Sequence, residues 1–120
     1  MKPEDTSLFK SKKFAIRIVR LYMCLRDKKG ETVMSGQLLR SGTSIGANLS
    51  EAECAVSKKD FANKVGIARK ECAESAFWLE LLHDTQYLSD AEFSGIMEDC
   101  VVLRKMLTAT TKTLKEENPD

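Results

Sequence analysis

Apolar residues recur along this chain with the period of a helix, and no stretch alternates as a half-buried strand would. Phe14, Ile18, Leu21, Tyr22 and Leu25 share one stripe and predict a first helix over residues 7–27, ended by Gly30 in "KKGET". Leu38, Gly42, Ile45, Leu49 and Ala52 predict a second over 32–54. Two capping boxes open the next two: Ser57-Lys-Lys-Asp60, an acidic variant, and Ser89-Asp-Ala-Glu92, the preferred form. Behind them, Phe61, Val65, Ala68, Cys72, Ala76, Leu79 and Leu82 predict a helix over 57–87. Phe93, Ile96, Met97, Cys100, Leu103 and Leu107 predict another over 89–115, with the tail "KEENPD" expected to fray. Prolines occur only at Pro3 and Pro119, which suits long uninterrupted helices. Residues 1–120 therefore read as one all-α domain, an antiparallel up-and-down four-helix bundle.

The pattern also holds features that one core seam does not require. Gly42 and Gly46 lie on or beside the core stripe of the second helix, where missing side chains would let a neighbouring helix approach closely. That gain offsets a helix-propensity cost of about 1 kcal/mol each. On the first helix, Ile16, Val19 and Met23 form a second stripe opposite the core face and point to a subunit interface. On the third, Ile67, Trp78 and Leu81 lie off the main stripe, and Trp78 fits a wide core as well as an interface. Arg40, Ser44, Asn48 and Glu51 stack along the second helix as a polar stripe. Its composition, poor in Lys and Glu, suggests contact with another helix or another subunit. Arg40 and Glu51 are three turns apart and cannot pair with each other.

Composition narrows the class. Hydrophobic residues make up 42% and charged ones 31%, as in a soluble globular chain. The start "MKPEDTSLFK" has no secretory apolar stretch and no run approaches a membrane span, so the chain reads as cytoplasmic with no membrane partner. The four cysteines, Cys24, Cys54, Cys72 and Cys100, form no C-x-x-C pair and read as reduced apolar fillers. The net charge is +1, but residues 1–30 carry nine Lys/Arg against three Asp/Glu. Lys13, Arg17 and Arg20 make one basic stripe on the first helix that phosphates could track, with Lys10 and Lys12 beside it. No aromatic interleaving or reader module accompanies them, so the stripe fits sequence-independent contact with RNA or DNA, or a merely solubilising face.

Catalytic signals are absent. Glu80-Leu-Leu-His83 resembles half of a carboxylate-bridged di-iron site, but His83 is the only histidine and such a site needs two. There is no phosphate-cradling glycine loop and no serine or cysteine paired with a histidine base. No metal, cofactor or enzymatic activity is expected.

"LLRSGTSIGANLSEAECAVSKKDF" (residues 38–61) resembles the signature of the bacterial four-helix-bundle proteins found in 23S rRNA intervening sequences. Arg40, Ser41, Ser44, Ile45, Asn48, Leu49 and Glu51 match its pattern, as do Ser57 and Phe61. Ala52 departs from it, standing where glycine is common. "ARKECAESAFWLELL" is similar to the family's third helix, and the likeness spans nearly the whole chain. The resemblance implies a homopentameric ring, as in that family and the related accessory variability determinant of diversity-generating retroelements, which works with a reverse transcriptase and its RNA. The expectation is a non-enzymatic, homo-oligomeric nucleic-acid-binding accessory protein. The alternative is a protein–protein interaction scaffold without nucleic-acid contact, docking a protein partner through the polar stripe or the last helix.

Overall fold

The computed structural model describes residues 2–117. A single 3₁₀ turn (Pro3–Asp5) precedes four helices: α1 (Ser7–Lys29), α2 (Val33–Ala52), α3 (Lys58–Asp84) and α4 (Asp90–Glu117). They form an antiparallel four-helix bundle of 47 × 28 × 22 Å in which α1 packs on α2 and α4, and α3 on α2 and α4. The core stripes read from the sequence meet along its axis. Phe14, Ile18, Leu38, Ile45, Leu79, Leu82, Leu103 and Leu107 are fully buried, while Leu21, Phe61, Phe93 and Met97 pack partly buried around them.

Local chemistry sets each helix end. Thr6 caps α1, its hydroxyl accepting from the Phe9 N–H at 3.2 Å. Gly30, in the left-handed region at φ 64°, ends it: its N–H donates to Arg26 O and that of Glu31 to Leu25 O, satisfying two of the last carbonyls. The Ser89–Glu92 box closes reciprocally, Ser89 N–H donating to Glu92 at 2.9 Å and Glu92 N–H to Ser89 Oγ at 3.2 Å. In the variant box, Ser57 Oγ accepts from Asp60 N–H at 3.0 Å, but the shorter Asp60 side chain accepts from the Val56 N–H instead of that of Ser57.

All four helix ends differ from the sequence reading: the first helix runs on to Lys29 rather than residue 27. The second helix stops at Ala52 rather than residue 54, and Cys54 is an exposed residue of the connection, not a core filler. The third ends at Asp84, because Gln86 adopts φ 69° and turns the chain so that the N–H groups of Tyr87 and Leu88 reach Leu82 O. The fourth stays helical through Glu117, past the expected fraying point at Lys115; residues 118–120 of the tail lie outside the described residues.

The glycine pair has its reason in the α1–α2 seam. A Cβ on Gly42 would stand 3.0 Å from Cγ1 and 3.1 Å from Cγ2 of the buried Ile18, and one on Gly46 would stand 3.0 Å from Ser11 Oγ. Between α3 and α4, the buried thiols of Cys72 and Cys100 face each other with sulfurs 3.8 Å apart. The hydrogen bond from Cys72 and then burial push the Cys100 thiol up, so it stays protonated as an apolar filler. No described helix is long and apolar enough to cross a membrane.

Candidate nucleic-acid interface and the polar seam

The basic stripe of α1 is split by its surroundings. Arg17 reaches across to α4, donating to Asp99 at 2.8 Å and to Gly95 O at 3.3 Å, where the lack of a side chain on Gly95 leaves room for the guanidinium. It is an inter-helix tie rather than a free phosphate ligand. Lys13 extends along Phe9, its Nζ 6.0 Å from the ring centroid. Lys10 and Lys13 line a cleft of about 330 Å³ together with the carboxylates of Glu4, Asp5 and Asp99, which offset their charge. Lys12 and Arg20 stand exposed without an ion pair among the described residues.

Beside these cations, Ile16, Val19 and Met23 are 45%, 38% and 46% exposed, and Phe9 one turn-pair earlier is 42% exposed. At about 100° per residue the four share the outer face of α1, away from Phe14 and Ile18. Trp78 sits elsewhere. It is half-buried on α3, packs on the core, and donates its indole N–H to Glu74 at 3.0 Å, while the exposed Phe77 ring meets it edge-on at 5.0 Å.

The polar stripe of α2 faces α3. Arg40 donates to Glu71 at 2.9 Å and also to Glu74, and Glu51 accepts from Lys64 at 3.1 Å. The Trp78 indole and then Arg40 hold the Glu74 carboxyl below the usual carboxylate range. Asn48 does not reach α3. Its amide donates to Ser44 O at 2.9 Å and to Ser44 Oγ at 3.1 Å, within its own helix. The stripe is thus three inter-helix ion pairs, two of them on Arg40, with a local pair between Arg40 and Glu51.

Ser41 belongs to the family signature, but its partner Ser75 and the capping residue Glu31 were not singled out from the sequence. Ser41 and Ser75, both fully buried, place their hydroxyls 2.9 Å apart between α2 and α3, and the small side chains let the two helices approach. Glu31, also buried, accepts from the N–H groups of Val33, Met34 and Ser35 at 3.1, 3.1 and 2.8 Å, taking over the cap of α2 from Thr32. Burial raises its pKa, but these hydrogen bonds outweigh it and hold the carboxyl below its ordinary value. A signal existed for neither beyond polar residues at positions the apolar stripe leaves ambiguous.

His83 stitches α3 to α4. Its Nε2 lies 2.7 Å from Asp90, and its ring stacks on Phe93 at 4.2 Å. Among the described residues, no three His, Cys, Asp or Glu side chains converge as a metal site requires.

Comparison with known proteins agrees with the signature at residues 38–61. The family model described as "23S rRNA-intervening sequence protein" matches residues 7–109, from the first residue of α1 into α4. A crystal structure from Bacteroides thetaiotaomicron VPI-5482, described as a protein of unknown function from the S23 ribosomal protein family, is 48% identical with a TM-score of 0.88. The match covers 89% of this chain and 99% of that one. Among curated proteins nothing matches. The residues of the α2–α3 seam, the four-helix architecture and the extent of these matches agree: the chain belongs to the 23S rRNA-intervening sequence protein family.

Proposed function

We propose that this chain is a non-enzymatic accessory protein that self-associates through the outer face of α1 and binds RNA or DNA by its phosphates. The observation that carries the reading is the pairing on one helix of an apolar stripe (Ile16, Val19, Met23, with Phe9) and exposed cations (Lys12, Lys13, Arg20). Closed symmetry repeats any cation row around the assembly, and phosphate contacts add. The homopentameric ring that the resemblance implies is a closed assembly of this kind.

A second reading, a protein-docking scaffold, draws on Phe77, which is 55% exposed on the outer face of α3, remote from the α1 stripe. Salt separates the two, since phosphate contacts weaken steeply with added salt and packed interfaces do not.

The test is fluorescence anisotropy with a structured RNA and a duplex DNA at low and near-physiological salt, using a variant that leaves the structural Arg17 in place. Binding that falls with salt supports the proposal, and weaker binding by Lys12→Gln/Lys13→Gln/Arg20→Gln assigns it to α1. Absence of binding at micromolar protein and low salt rejects the nucleic-acid reading.

A further inference from the structure

The cations that α1 loses to intramolecular partners have a counterpart across the molecule. A groove of about 350 Å³ runs between α3 and α4, lined by Arg69, Thr108, Thr111, Lys112, Lys115 and Glu116. Three cations therefore meet one carboxylate, and none of the three forms an ion pair among the described residues. Arg104 continues the row, near enough to the Cys72–Cys100 contact to act on both thiols. Arg104, Thr108, Thr111 and Lys115 recur at helical spacing on one flank of α4, a row about 16 Å long. Two threonine hydroxyls stand among the charges. Thr111 donates its proton to Leu107 O at 2.9 Å, which fixes its rotamer at the groove.

We infer that this α3–α4 groove is a second contact for a phosphodiester backbone beside the cations of α1; the inference rests on the nucleic-acid reading above. Two observations carry it. The groove holds three cations without an ion pair among the described residues, whereas on α1 only Lys12 and Arg20 escape a neighbouring carboxylate, Arg17 being held by Asp99 and Lys10 and Lys13 sharing their cleft with three carboxylates. The groove also lies on the side of the bundle away from the outer face of α1, so self-association through Ile16, Val19 and Met23 leaves it open while covering the flanks of the α1 cations. Charge complementarity selects the occupant: a row of positive charge with the Thr108 hydroxyl among it suits a chain of phosphates more than an apolar partner.

The experiment compares Arg69→Gln/Lys112→Gln/Lys115→Gln with Lys12→Gln/Lys13→Gln/Arg20→Gln in anisotropy titrations of labelled RNA hairpin and duplex DNA across a salt series. Circular dichroism melts check that each variant folds. The groove variant is expected to bind roughly a hundredfold more weakly near physiological salt and to lower the slope of log K against log salt by about 2–3. The α1 variant should lower both affinity and slope by its own share, and the two losses should add. Single variants Lys112→Gln and Lys115→Gln, each lowering the slope by about 1, carry the test should the triple variant fail to fold. A groove variant with wild-type affinity and slope overturns the inference. The nucleic-acid reading then survives if the α1 variant loses binding, whereas a wild-type protein that binds neither probe ends both.

Discussion

At the scale of single residues, the same residue type does opposite work at different positions. Gly42 sits where a Cβ would press on the β-branched, fully buried Ile18, whose χ1 cannot yield, whereas a Cβ on Gly36 meets nothing within 4 Å. Gly42→Ala should therefore lower stability by about 1–2 kcal/mol in spite of its better helix propensity. Gly36→Ala should raise it by about 1 kcal/mol, some 3–5 °C in melting temperature. Thermal melts of the two variants moving in the same direction would contradict this account. Glu31 makes a separate expectation. Its depressed carboxyl adds stability at pH values above the ordinary carboxylate range, and that contribution is lost as pH falls through the depressed value. Glu31→Gln leaves buried N–H groups poorly satisfied and should cost about 1–3 kcal/mol at neutral pH. Denaturant titrations should show the gap from the wild type narrowing as pH falls from the ordinary carboxylate range, where the unfolded chain takes up the proton, through the lowered native value.

At the scale of elements, most of the helix content was legible because four apolar stripes keep their period and two capping boxes mark their starts. What was not legible depended on contacts between elements or on unusual turns. Arg17 reads as a phosphate ligand along α1, but its partner Asp99 is 82 positions away, beyond any local pattern. Glu31 escaped notice because capping is sought at the residue directly before a helix, and Thr32 there makes no cap hydrogen bond. Gln86 hid the end of α3, since a non-glycine residue in the left-handed region carries no sequence mark. That position holds a further expectation: the left-handed region costs an L-residue about 1–2 kcal/mol, so Gln86→Gly should stabilise the α3–α4 connection by about 1 kcal/mol. A melting temperature unchanged or lowered would mean that the glutamine side chain makes a compensating contact. The groove between α3 and α4 was missed for an arithmetic reason. Residues 88–120 carry more acidic than basic residues, and only the helical period separates the signs onto different flanks of α4.

At the scale of the whole molecule, the bundle divides its surface by side. The signature residues of α2 are absorbed into the seam with α3, through Arg40 with Glu71 and Glu74, Ser41 with Ser75, and Glu51 with Lys64. Arg40, Ser41 and Glu51 of the family motif therefore help to hold the bundle together, while Ser44 and Asn48 pair within α2, and Arg40 and Glu51 stay half exposed. If the outer face of α1 is the self-association surface, Ile16→Glu/Met23→Glu should leave helicity intact and reduce the sedimenting mass to that of a single chain. A wild-type protein already monomeric at tens of micromolar, by the same measurement, would remove the oligomer from the proposal. The polar α2–α3 ion pairs should be indifferent to that variant, because none of them involves α1.

Three of the four seams join helices that follow one another in the chain, and only the α1–α4 seam, the least extensive of them, unites distant segments. Its polar tie, Arg17 with Asp99, is half exposed at both ends. Folding can thus proceed by zipping successive hairpins, which are local and rapid, and must close the ring only at the end. The barrier is then crossed before α1 meets α4. Removing the tie with Asp99→Ala should leave the refolding rate nearly unchanged and accelerate unfolding, a partition that stopped-flow chevrons read directly. The same seam is expected to open first in the native molecule, which hydrogen exchange of the α1 amides would show.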